Sequence, residues 1–251
     1  MTERKGYPSR TAIPPHILDR LNKGREETKT LSEALAMNQS TLIRALIPSL
    51  MSPGLQHDLR DADGIVARMR LIGEVLADRP QELGMAATSA VDTPRGWACF
   101  AVGAIPSISL AERLEMIRPF AADKHFGVRE WAWLAVRPYI HESLEEAFVL
   151  LQDWTQDPDE NIRRFASEST RPRGVWSKHI MELRENPTPG LVILDKLKSD
   201  PSKYVQDSVG NWLNDVAKDR PYFVRETLDR WLTESDSDAT HAIVKKASKY
   251  V

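Results

Sequence analysis

One cysteine, Cys99, stands in 251 residues. An intramolecular disulfide is therefore impossible, and no cysteine cluster exists to hold a structural zinc. Histidine is scarce too: six residues lie scattered at 16, 57, 125, 141, 179 and 241, and His141-Glu142 is followed by Glu145 rather than by the second histidine of a zinc-protease helix. They read as structural or surface residues, and neither metal nor cofactor is expected. No apolar run reaches the roughly 18 residues that a membrane helix needs, and the opening MTERKGYPSR has charge without an apolar stretch. No membrane association is expected, and the chain reads as cytoplasmic. An excess of either charge is also missing, the formal net charge being -2, so an anionic partner would have to meet a local basic surface. Finally, no period-two run is long enough for a strand. That leaves an all-α class.

With 41% hydrophobic and 28% charged residues, the chain can bury a core as one elongated domain or two compact ones. Residues 1–13 read as a polar tail. PPHILDRLNKG is a Pro-started helix closed by Gly24, and TLSEALAMNQSTLIRALIPSL gives two more short helices with Ser40 as a candidate cap between them. Residues 1–50 thus form a tail and helical cap. Pro53 and Gly54 break the pattern, after which Ile65, Met69, Ile72, Val75 and Leu76 recur at helical spacing, and the remainder alternates helices with short turns rich in Pro, Asp and Gly.

Three segments superpose without gaps: Asp123-Lys-His-Phe-Gly-Val128-Arg, Asp157-Pro-Asp-Glu-Asn-Ile162-Arg and Asp200-Pro-Ser-Lys-Tyr-Val205-Gln, at offsets of 34 and then 43 residues. Arg137-Pro138 and Arg171-Pro172 close the first two, again 34 apart. This is the grammar of HEAT-type repeats. Residues 51–251 are expected to form a single continuous solenoid of HEAT-like helical repeats with a concave face suited to a long partner.

The middle repeat, DPDENIRRFASESTRPRGVW, is the most informative. Asp157 is the candidate N-cap with Pro158 in the first turn. At about 100° per residue, Ile162, Phe165, Ala166 and Ser169 share a packing side, leaving Arg164, Ser167, Glu168 and Arg171 facing outward. Superposition aligns Glu130 with Arg164 and Asp207, Leu134 with Glu168 and Asn211, and Arg137 with Arg171 and Asn214. On the first repeat helix, Val128, Trp131, Ala132, Ala135 and Tyr139 form the apolar stripe, which leaves Trp133 beside Glu130 and Arg137. Trp133 is either an exposed aromatic or a filler against a neighbouring repeat. Trp212 falls on an apolar stripe and reads as core. Between Asn161 and Arg184 six cations face two acids, whereas Ser143 to Glu160 holds six acids and no Lys or Arg. This segregation makes either a phosphate-binding patch or an ion-pair seam.

The segments REWAWLAVRP, RRFASESTRPRGVW and YVQDSVGNWLNDVAKDRP resemble the bacterial DNA alkylation repair proteins built from HEAT-like repeats, the AlkC/AlkD group of alkylpurine DNA glycosylases, and the AlkC branch most closely. The similarity runs from about Asp123 to Trp231, and the opening LNKGREETKTLSEALAM also looks like the start of that branch. No further C-terminal domain of the kind some relatives carry is expected. The resemblance implies excision of N3- or N7-alkylated purines from duplex DNA without full extrusion of the damaged base. It places the family's acidic and arginine positions on Glu130, Arg164 and Glu168, and its aromatic after the Arg-Pro-Arg turn on Trp176. Gly174-Val175 stand where others of the branch have Leu-Pro.

The chemistry suits these residue types. An N3- or N7-alkylated purine is cationic and leaves without a general acid, while the sugar passes through an oxocarbenium-like state. Glu130 and Glu168 would stabilise that charge and position or deprotonate water, Arg164 would hold the adjacent phosphate, and the face of Trp176, or secondarily Trp133, would meet the cationic sugar. Arg137, Arg171, Arg173, Asn211, Asn214 and Lys218 are expected to contact the DNA backbone, with a monomeric protein acting on DNA that contains alkylated bases. Two alternatives stay open: a HEAT-like protein that binds damaged or branched DNA by shape without catalysis, and a protein-binding solenoid. The carboxylates among the arginines favour the enzyme.

Overall fold

The computed structural model describes residues 4–174 and 176–251. These residues form α-helices joined by short turns and 3-10 segments, with no strand among them. The chain gathers into two compact units. The first runs to Ile108 and takes in Asp123–Ala135, and the second comprises Ser109–Ala122 with Val136–Val251.

The first unit holds α1 (Pro15–Asn22), α2 (Leu31–Ala36), α3 (Gln39–Leu46), α4 (Pro53–Asp61), α5 (Gly64–Ala77), α6 (Pro80–Ala87) and α7 (Asp92–Ala104). The Pro14-Pro15 start and the Gly24 stop of α1 are as the sequence indicates: Gly24 has φ +63, a left-handed conformation that glycine adopts without a Cβ penalty. Ser40 is not the cap between the next two helices. Asn38 caps α3, its side chain accepting from the Thr41 N–H at 2.9 Å. Residues Met1 to Glu3 of the expected polar tail lie outside the described residues, and from Arg4 onward the segment is tied down. Glu33 is fully buried and accepts from the Tyr7 and Lys29 N–H groups at 2.9 and 2.7 Å as well as from Arg4. A buried carboxylate requires such partners. At the centre, α7 packs against α5 and is buried on nearly every side.

The second unit contains α8 (Leu110–Ala121), and α9 (Phe126–Glu142) passes from the first unit into the second. Then follow α10 (Leu144–Trp154), α11 (Glu160–Ser169), α12 (Met181–Glu185), α13 (Leu191–Leu197), α14 (Lys203–Ala217), α15 (Pro221–Glu234) and α16 (Asp238–Ala247). The pairs α10/α11, α13/α14 and α15/α16 are helical hairpins, and their second members pack side by side, α11 on α14 and α14 on α16. Each second helix therefore has neighbours on two sides. That explains a departure from the two-faced reading of α11, since Ser167 and Glu168 are buried like Phe165 and Ala166. Trp212 is fully buried, its indole donating to the Thr170 carbonyl at 3.1 Å.

The repeated aspartates organise these hairpins. Asp123, Asp157 and Asp200 each accept from the N–H two residues on, at 2.7, 2.8 and 2.8 Å. Each also receives a guanidinium from an earlier helix: Arg95 on Asp123, Arg118 on Asp157, Arg163 on Asp200. The residue six positions after each aspartate folds back onto that aspartate's own carbonyl, Arg129 at 2.7 Å, Arg163 at 2.9 Å and Gln206 at 2.8 Å. Asp157 is therefore a turn residue rather than the N-cap. Asp159 caps α11, which begins at Glu160.

The Arg163–Asp200 pair is a bidentate fork, at 2.7 and 3.0 Å, with Asp200 only 6% exposed. Replacing Asp200 by Asn leaves a partly buried guanidinium without its charge, and the expected loss is about 2–4 kcal/mol in a urea melt. Replacing exposed Asp229 by Asn is expected to change stability by about 0.5 kcal/mol or less.

Candidate functional site

The first unit presents Glu130 and Trp133 on α9. Of the two readings that the sequence leaves open for Trp133, the solvent-facing aromatic is excluded, since it is 4% exposed. Its indole N–H donates to Glu130 Oε2 at 2.8 Å, across one helical turn. Glu130 itself is only half-buried. A carboxylate aimed by a buried indole is a preorganised anion at a surface that solvent reaches.

In the second unit, Glu168 on α11 is 5% exposed and both its oxygens are engaged. Oε1 accepts from Arg171 at 2.8 Å, while Oε2 accepts from the Ser208 hydroxyl of α14 at 2.7 Å and lies 3.5 Å from Arg164. Arg171 also forks onto Asp215 of α14 at 2.9 Å. Burial alone would raise the pKa of Glu168, but Arg164 and Arg171 overturn that and hold it below the usual carboxylate range. Asp215 moves the other way: its burial outweighs Arg171, so its pKa is raised. Arg164 is clamped between Glu168 and the ring of Tyr204, whose centroid is 4.3 Å from its guanidinium carbon.

Several expected DNA contacts are spent inside the unit. Arg137, 2% exposed, donates to the carbonyls of Ser169, Arg171 and Lys178, so it builds the Arg-Pro-Arg turn instead of reaching a phosphate. Burial and then the neighbouring Arg171 lower its pKa to about 10. The Asn214 amide donates to the Lys246 carbonyl of α16 at 2.9 Å, because α16 covers that edge of α14. Arg171 is committed to two carboxylates. Arg173 and Arg184 share Asp219, so the local surplus of cations is largely cancelled, by acids of the 200–219 segment rather than by those of Ser143 to Glu160. Asn211 is half-buried on α14 and Lys218 is exposed, 3.8 Å from Asp215.

The turn ends in the least ordinary residue of the unit. Trp176 is 47% exposed and has φ +61, a conformation that costs a bulky side chain strain. A Cβ on Gly174 would lie 3.0 Å from Arg137 Nε and 2.0 Å from Ser177 Oγ, so glycine is what lets the turn close over the buried guanidinium. Val175 lies outside the described residues.

A family model described as DNA alkylation repair enzyme matches residues 106–251. The chain belongs to the DNA alkylation repair enzyme family. Among its relatives is the Bacillus subtilis (strain 168) protein YhaZ, itself uncharacterised, 35% identical over 151 residues, which are 58% of this chain and 42% of YhaZ. Two solved structures are similar. One is the Pseudomonas fluorescens alkylpurine DNA glycosylase AlkC bound to DNA containing an abasic site analog (TM-score 0.60, 26% identity, 82% of this chain and 58% of AlkC). The other is AlkD2 from Streptococcus mutans (TM-score 0.58, 26% identity, 79% and 87%). This alkylation repair chain thus has the HEAT-like helical-repeat fold of those proteins, and it spans about half the length of YhaZ and of AlkC.

Sequence reasoning about this alkylation repair chain missed Tyr204, Ser208 and Asp215, the α14 residues that fix Arg164, Glu168 and Arg171. The column alignment held the signal, because it superposed α14 on α11, but it treated aligned positions as one open surface when neighbouring helices bury part of it. Among the described residues no group of three His, Cys, Asp or Glu is gathered for a metal, and no helix is long and apolar enough to cross a membrane.

Glu168→Gln is expected to destabilise the protein by about 2–4 kcal/mol at pH 7, since it removes the buried negative charge that Arg164 and Arg171 share. Because the folded pKa is depressed, this contribution is fully present above the unfolded carboxylate pKa and is lost as pH falls through the folded value. Melts of wild type and variant should converge in acid. Trp176→Gly is expected to change stability by about 1 kcal/mol or less, as relief of the positive φ offsets the loss of the covered half of the side chain.

Proposed function

We propose that the chain is an alkylpurine DNA glycosylase that excises N3- or N7-alkylated purines, of the 3-methyladenine and 7-methylguanine type, from duplex DNA without full extrusion of the base. Trp176 is the observation that supports this reading most. Holding a large aromatic half in solvent, in a strained conformation, on a turn closed over a buried arginine, costs the fold free energy that a functional role would explain. An exposed face of that kind suits the cationic edge of a deoxyribose whose glycosidic bond is breaking, worth about 0.5 to 2 kcal/mol according to desolvation.

The residues divide the work. The damaged base already bears positive charge, so it departs without being protonated, and what is needed is stabilisation of the sugar cation and a placed water. Glu130, fixed by the Trp133 indole, is the carboxylate proposed for both tasks. Glu168 is too enclosed to touch substrate, so its part is to hold Arg164 and Arg171 in place. Arg164, gripped by Tyr204 and Glu168, is proposed to meet the phosphate beside the lesion, with Arg173, Asn211 and Lys218 contributing backbone contacts. Similarity to AlkC, an alkylpurine DNA glycosylase solved bound to DNA containing an abasic site analog, supports this reading.

The test is release of free base from N-methylated duplex DNA in single turnover. Wild type is expected to release 3-methyladenine or 7-methylguanine, with Glu130→Gln slowing release by about 10²–10³-fold and Trp176→Gly by about 10-fold or more, at undiminished DNA affinity for Glu130→Gln. No release by wild type, with salt-sensitive binding intact, would establish the non-catalytic DNA-binding reading instead.

A further inference from the structure

We infer that the first unit holds a second, separate site for DNA: a cleft lined by Arg10, Arg60 and Arg68 that takes phosphodiesters of the duplex backbone. Two cavities, of about 260 and 360 Å³, share Gln39 and Arg68 in their walls and so adjoin. Arg10 borders the smaller and Arg60 the larger. Each has roughly ten times the volume of one water, about 30 Å³, and so has room for a phosphate with part of its sugar.

What sets these arginines apart, among the described residues, is that three of them without a carboxylate partner line the same pair of hollows. Many guanidiniums of the protein are matched to carboxylates, as in Arg95 with Asp123, Arg163 with Asp200 and Arg173 with Asp219, and the unmatched Arg25 and Arg225 line neither hollow. Among the described residues Arg10 and Arg60 have no such partner. Arg68 bonds only backbone, donating to the Leu59 and Ala62 carbonyls at 3.3 and 3.1 Å, which fixes its stem in the shared wall while its charge stays uncompensated. Gln39 is 4% exposed and its oxygen accepts from the Trp97 indole at 2.6 Å, so what remains of its amide for the cleft is N–H. Only Asp63 opposes, and it is exposed. Three cations and an amide donor around two adjoining hollows suit an anion spaced along a chain, and the phosphodiester backbone is that partner.

This inference rests on the proposed duplex DNA binding and is tested apart from it. Affinity for an undamaged duplex is measured by fluorescence anisotropy against salt concentration for wild type, Arg10→Gln/Arg60→Gln, Arg10→Lys/Arg60→Lys and the exposed control Arg25→Gln/Arg225→Gln. At roughly 0.9 per phosphate contact, the double Gln variant is expected to lower the slope of log affinity on log salt by about 2, with the Lys pair restoring it and the control leaving it in place. A wild-type slope in the Gln variant, or an equal loss in the control, overturns the inference while leaving the proposed function standing. Wild type that neither binds duplex nor releases base overturns both.

Discussion

The structure depends on guanidinium groups from one helix meeting aspartates at the start of a later one. Arg95, Arg118 and Arg163 each deliver their charge to the turn aspartate that opens a following helix, and the same aspartate turns its own chain by accepting the N–H two residues on. The three aspartates are largely withdrawn from water, where a carboxylate without a cation would be costly. The ion pair is therefore a condition of stacking helices this closely, and in the Arg95–Asp123 and Arg163–Asp200 forks it also sets register, because a fork accepts only one placement of a planar carboxylate.

That constraint decides what charge means on this chain. A stretch with six cations against two acids looks in sequence like a phosphate-binding patch, yet most of it is consumed: Arg163 by Asp200, Arg171 by Glu168 and Asp215, Arg173 and Arg184 by Asp219. Where two guanidiniums share one carboxylate, as on Asp219, one positive charge is left over at a partly exposed position, and such remainders matter more for nucleic acid than the local total. Asp219 is accordingly held well below its ordinary pKa by hydrogen bonds from Arg184 and Arg173.

The all-helical class, the repeat with its Asp-led turns, the core position of Trp212 and the family were legible in the residues, because each rests on periodicity or on a local motif. What was not legible required knowing a neighbour. Glu168 shares an outward arc with Arg164 on an isolated helix, and only the presence of Ser208 and Asp215 on α14 turns that arc into an interior. Arg137 looks like a groove cation until the carbonyls of Ser169, Arg171 and Lys178 converge on it. Trp133 showed its carboxylate neighbour at three residues' spacing, but not that the indole is buried and bonded to it. For Glu168 and Arg137 the exposure was misread, and for Trp133 the burial decides between the two readings that the sequence left open.

Within the second unit the buried and exposed residues nonetheless depend on one another. A group that must respond to a sugar cation has to keep its charge and its place before substrate arrives, since reorganising it during reaction would consume the stabilisation it offers. Glu168, itself enclosed, keeps its charge because two guanidiniums outweigh its burial and so holds Arg164 and Arg171 in place, while Arg137 braces the turn that ends in Trp176. Arg137, failing as a DNA contact, thus gains a role through the residue it supports. Shortening it would withdraw the carbonyl bonds that define the turn, so the aromatic would lose its orientation although no substrate-facing atom had been altered.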